Sequence, residues 1–112
     1  MFFLRHFHCV NNEVSQVGLK QSEFVINRLL EQKIEQVLYT EHPRVQNSVS
    51  RLSEFLNVHS ELVLESDIDA ISNKSNILFV SQQPILVNAY KLITGVDVPL
   101  TFFSTGRLIA WE

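Results

Sequence analysis

The sequence predicts an α/β fold, a three-layer domain in which a mainly parallel sheet carries helices on both faces. Three observations predict it. Short apolar runs recur at Met1-Phe2-Phe3-Leu4, Val37-Leu38-Tyr39 and Ile77-Leu78-Phe79-Val80, the mark of buried strands. Between them lie longer stretches whose apolar residues fall at helical spacing. The two kinds of segment alternate, so successive strands are brought side by side through helical crossovers. A length of 112 residues suits one domain spanning 1–112, and 46% hydrophobic against 19% charged residues allows a packed core.

The first strand climbs from Met1 into Arg5-His6-Phe7-His8, and a loop runs from Cys9 to Val14. Ser15 then N-caps a helix that has Gly18 in its first turn and Leu19, Val25, Ile26, Leu29 and Leu30 as its inner stripe. A second strand covers Gln36 to Thr40. Pro43 suits the first position of a second helix, with Val45, Val49, Leu52 and Leu56 inward. Glu61 to Glu65 reads as a third strand, weakened by the acids that bracket it. In Ser66–Asn76, Ile68 and Ile71 anchor one helical turn and Asn73–Asn76 reads as loop. Ile77–Ser81 is the fourth strand. Pro84 starts a third helix with Ile85, Leu86, Ala89, Leu92 and Ile93 inward, and Gly95 ends it. Pro99–Gly106 crosses the domain and Arg107–Trp111 closes the sheet.

The net charge of −3, with basic residues dispersed, gives no footprint for DNA or RNA. No apolar run approaches the ~20 residues of a membrane helix. Met1-Phe2-Phe3-Leu4 lacks the basic start and long apolar centre of a signal peptide. The lone Cys9 cannot form an internal disulfide. A soluble, cytoplasmic protein without nucleic-acid or membrane partners is therefore expected.

In a parallel α/β sheet, residues just beyond the carboxyl ends of the strands face one crevice. Here those residues are Arg5 and His6, Thr40 to Arg44, Glu65, and Ser81 with Gln82. The second and third helices both begin at this edge, and their free N–H groups favour an anion. Two arginines, an imidazole and two helix starts make a phosphate cradle, since the planar guanidinium fork matches phosphate oxygens.

Leu4-Arg5-His6 resembles the Arg-His-Gly signature of the histidine phosphatase superfamily, which includes the phosphoglycerate mutases. Val14-Ser15-Gln16-Val17-Gly18 is similar to the Leu-Thr-x-x-Gly helix start of that family, and Tyr39–Gln46 to its Ser-Ser-Pro-x-x-Arg-Ala-x-Gln segment. Leu78–Pro84 resembles the strand bearing Val-x-x-x-Ser-His. The remainder to Trp111 resembles the end of the small bacterial SixA-type phosphohistidine phosphatases. The motifs span nearly the whole chain in the family's order.

This resemblance implies a phosphoglycerate mutase-like fold and assigns roles. His6 is the nucleophile that forms a phosphohistidine, Arg5 and Arg44 hold the phosphoryl oxygens, and Asn12 donates to phosphate. Glu65 falls near the acid that protonates the leaving group in larger members. The implied partner is a phosphohistidine-bearing protein or another phosphate-bearing ligand, with no cofactor and no metal. The chain departs from the pattern twice. Phe7 replaces the signature glycine, which would crowd the loop, and Gln82 stands where the family has its second histidine. An uncharged amide in place of a cationic donor implies slow turnover, or a non-catalytic pseudophosphatase that binds phosphate or a phosphorylated protein. The short stretch between Glu65 and Ile77 implies a shallow, open crevice.

Other readings are weaker. His8 with His6 forms a His-x-His pair of the kind that binds metals, but only His42 and His59 could add to it, so His8 reads as an exposed loop residue. His42, close to the site, is a candidate to stand in for the missing second histidine, but reads first as a solvated loop residue. Ser81 lacks the Gly-x-Ser-x-Gly elbow of a serine hydrolase. A response-regulator-like domain would need paired acids where Arg5 and His6 stand.

Overall fold

The computed structural model describes residues 1–71 and 74–111. Strand β1 is Phe2–Arg5, followed by a small hairpin of β2 (Cys9–Val10) and β3 (Glu13–Val14), and then by helix α1 (Gln16–Leu30). Next come β4 (Gln36–Tyr39), α2 (Pro43–Leu56) and β5 (His59–Leu62). A 3₁₀ helix over Glu65–Ile71 leads to β6 (Ile77–Ser81) and α3 (Gln83–Thr94); a 3₁₀ turn at Leu100–Phe102 precedes β7 (Leu108–Ala110).

The main sheet has the order β5-β4-β6-β1-β7, parallel throughout except for β7, which runs antiparallel to β1. Alternation along its central strands divides the core into two layers. Leu4, Val37, Leu78 and Val80 face one side and pack with Val25, Ile26 and Leu29 of α1 and Val45, Val49 and Leu52 of α2. Phe3, Leu38, Ile77 and Phe79 face the other and pack with Leu86, Ala89 and Tyr90 of α3, with Ile68 and Ile71, and with Phe103. The expected three-layer, mainly parallel architecture is therefore the one observed. Among the described residues no helix is long and apolar enough to cross a membrane.

Three sequence expectations need correction. The loop over Cys9–Val14 is a two-residue hairpin: Asn11 and Asn12 both have positive φ (51° and 65°), which matches a turn whose twist suits the flanking strands. The third strand begins two residues and ends three residues earlier than Glu61–Glu65. Asn57 ends α2 in the left-handed region, His59 pairs with Gln36, and pairing stops at Leu62 opposite Tyr39. Glu65 consequently opens the 3₁₀ helix instead of ending a strand. The inner stripes also differ. Leu30 and Leu92 are 59% and 63% exposed, whereas Tyr90 is buried edge-on against Phe3 and Phe103. Leu86, Ala89, Tyr90 and Ile93 keep the i, i+3, i+4, i+7 stripe that Leu92 leaves. Of the loop expected at Asn73–Asn76, Asn73 lies outside the described residues.

Candidate functional site

Strands β1, β6 and β4 are neighbours and end together. Arg5 pairs with Ser81, the His6 N–H donates to the Ser81 carbonyl (3.1 Å), and Thr40 lies beside Val80. The Thr40 and Ser81 hydroxyls share a short, buried hydrogen bond that joins two of these ends. Helix α2 begins three residues past Thr40 and brings Arg44 in from the same edge.

His6 is only 4% exposed. Its Nδ1 lies 2.9 Å from the Phe7 carbonyl, which can only accept, so Nδ1 carries the proton and Nε2 keeps the lone pair. Burial lowers its pKa below the ordinary imidazole value. The Phe7 carbonyl opposes that shift, and the charges of Arg5, Arg44 and His42 add to it. The ring is thus neutral with a free nitrogen, the state that nucleophilic attack requires.

Arg5 donates one hydrogen bond from a terminal guanidinium nitrogen to the Phe103 carbonyl (3.2 Å), but its Nε is buried without a partner. Burial and then the charge of Arg44 lower the Arg5 pKa. Arg44 donates from Nε to the Asn12 side-chain oxygen (3.2 Å), which ties the hairpin tip to the site. Asn47 braces the same tip by donating to the Asn12 carbonyl. Among the described residues neither guanidinium is paired with a carboxylate. Like charges held together, with a buried donor left over, are costly unless an anion joins them.

Phe7 does not crowd the loop as expected: its side chain turns into the α1/α2 core and is fully buried. Its N–H donates to the Ser48 hydroxyl (2.9 Å), which in turn donates to the Arg44 carbonyl (2.8 Å). Ser48 therefore couples the His6 loop to the helix that carries Arg44. The sequence signal for it was slight, a small polar residue one place before Val49 on the inner stripe.

His42 was read as a solvated loop residue, and the structure corrects this. It is the half-buried N-cap of α2, its Nδ1 accepts from the Arg44 N–H (3.2 Å), and its ring lies within 11° of parallel to His6 at 6.4 Å. His8 is exposed and hydrogen-bonded to Ser15, the N-cap of α1. Beneath it Gly18 admits no side chain, since a Cβ there would sit 2.2 Å from the His8 carbonyl oxygen.

Gln82, half-buried, is the N-cap of α3 immediately after Ser81, with no side-chain capping bond. Glu65 is exposed and follows β5, three strand places from β1, or roughly 14 Å at ~4.8 Å per strand. Among the described residues, no contact joins it to the group above. The structure thus brings His6, Arg5, Arg44, Asn12 and His42 together, sets Gln82 at the adjoining strand end and leaves Glu65 on the flank. Cavities of about 390 and 450 Å³, lined by residues such as Gln32, Ile93 and Trp111 or Glu35 and His59, lie at the opposite end of the strands. Among the described residues no group of three or more His, Cys, Asp or Glu could hold a metal ion.

No protein-family model and no curated protein sequence matches the chain. Solved structures do. A candidate phosphohistidine phosphatase, SixA from Agrobacterium tumefaciens, superposes with a TM-score of 0.70 at 13% identity, over 96% of this chain and 86% of the other. A mycobacterial hydrolase superposes with a TM-score of 0.67 at 10% identity, over 88% of this chain and 82% of the other. At these identities the likeness is one of fold, and the fold is histidine phosphatase-like, of the phosphoglycerate mutase type.

Proposed function

We propose that the chain is a phosphatase-like protein that binds a phosphoryl group between Arg5 and Arg44 and transfers it slowly to His6, the donor being a phosphohistidine of another protein. The observation that carries this reading is the set of unpaired cations around a neutral, buried imidazole, with the Arg5 Nε left unpartnered. The His6 Nε2 lone pair attacks phosphorus, forming a P–N bond as the bond to the donor imidazole breaks, and that imidazole takes its proton from water. Water then attacks phospho-His6 and releases inorganic phosphate. Arg5 and Arg44 offset the charge spread over the phosphoryl oxygens, with Asn12 holding the Arg44 side chain in place. An imidazole leaving group needs little acid help, which fits the remote position of Glu65.

Gln82 supports a second reading, a non-catalytic phosphate-binding protein, because its amide can donate but carries no charge. A phosphohistidine donor assayed with the unmodified chain, His6→Ala and Gln82→His separates the two. Slow turnover through acid-labile phosphate on His6 is expected, abolished in His6→Ala and faster in Gln82→His by on the order of 10². No labelling in either the unmodified chain or Gln82→His, with anion binding intact, would leave the non-catalytic reading.

A further inference from the structure

We propose that His42 is a third ligand of the bound oxyanion, donating from Nε2–H to the phosphoryl group that Arg5 and Arg44 hold. This rests on the anion site proposed above. The Arg44 N–H that His42 accepts can only donate, so the His42 Nδ1 presents a lone pair and the neutral ring carries its proton on Nε2. His6 is held in the opposite tautomer by the Phe7 carbonyl. Two nearly parallel imidazoles 6.4 Å apart therefore offer complementary groups: a lone pair for phosphorus on one and an N–H for a phosphoryl oxygen on the other. They are not hydrogen-bonded to each other, so each Nε2 is left for a third party. Capping alone does not call for histidine, since Ser, Asp or Asn caps a helix as well or better. The second ring nitrogen is what the cap leaves unused, and it lies in the group where Arg5 has its unpartnered Nε.

The test titrates the full chain and His42→Asn with orthovanadate, with Arg44→Ala as the reference for loss of the site. Asparagine keeps a capping oxygen but not the imidazole N–H, so unfolding of the anion-free variant should match the unmodified chain. Its vanadate affinity should fall roughly ten- to a hundredfold, the range for a hydrogen bond to a charged group. In the unmodified chain the His42 Nε2 resonance should move on saturation, a readout that does not depend on how the variant folds. Equal affinity in His42→Asn while Arg44→Ala loses binding, or a His42 resonance that stays put on saturation, would overturn the role of His42 alone. If the unmodified chain binds vanadate no better than Arg44→Ala, the anion site itself is wrong and His42 falls with it.

Discussion

Replacing Ser48 with alanine tests the link between the two halves of the site. The Ser48 hydroxyl accepts from the Phe7 N–H at 2.9 Å and donates to the Arg44 carbonyl at 2.8 Å. Both Phe7 and Ser48 are 0% exposed, so water cannot replace the lost partner. The Arg44 carbonyl keeps its place in the helical ladder, but the Phe7 N–H is left buried and unpaired, at a cost of about 1–3 kcal/mol. At an unfolding entropy of about 2.1 cal/mol/K per residue over 112 residues, that is about 4–13 °C in Tm. Urea unfolding followed by circular dichroism should show a lower midpoint at unchanged slope. Vanadate affinity should also fall, because the Phe7 carbonyl orients the His6 ring. A stability loss below about 0.5 kcal/mol, within the range of ordinary surface substitutions, would refute the coupling.

Gly18→Ala would press a Cβ to 2.2 Å from the His8 carbonyl oxygen and should cost at least about 3 kcal/mol, the upper end for overpacking. Gly95→Ala meets open space and should cost only the about 1–2 kcal/mol of a left-handed alanine, so equal losses in chemical denaturation would contradict the packing described here. His6 should titrate below about 6.5 by NMR. Between its folded value and about 6.5 the unfolded chain binds a proton that the folded chain refuses. Its contribution to stability is therefore complete above about 6.5 and is lost as pH falls towards the folded value. Arg44→Gln should raise the His6 midpoint; a midpoint already above 6.5 in the unmodified chain would count against the charge cluster. Asn12→Gly keeps the positive φ of the turn but frees Arg44, so phosphate binding measured by calorimetry should weaken a few-fold while Tm hardly moves.

Much of this arrangement was legible because the strands that position it, β1, β4 and β6, are dominated by apolar runs that only a buried sheet accommodates. Residues at their carboxyl ends meet wherever the strands are neighbours, so Arg5, His6 and Arg44 could be placed before any coordinates. The hairpin was not legible, since two-residue strands give no periodicity and only Asn11-Asn12 marked the turn. Strand β5 was displaced because one edge of it is unpaired, so its alternation is weak and its one acid, Glu61, tolerates solvent. Leu92 was counted inward because Ile85, Ala89 and Leu92 also fall at i, i+4 and i+7, one step round the helix from the stripe that Tyr90 completes. His42 was placed near the site but read as solvated, because its part depends on a ring orientation fixed by a backbone N–H, which no residue spacing reveals. Phe7 was misjudged for a related reason: its backbone direction, set by Ser48, sends the ring inward.

The central claim is that Arg5 and Arg44, from separate segments, serve one oxyanion beside His6. Equilibrium dialysis with labelled inorganic phosphate at low ionic strength tests it most directly, on the unmodified chain, Arg5→Ala and Arg44→Ala. The account predicts one phosphate per chain, weakened in both variants, since each guanidinium supplies charge-assisted bonds. Binding that survives both substitutions, or none in the unmodified chain, would contradict it.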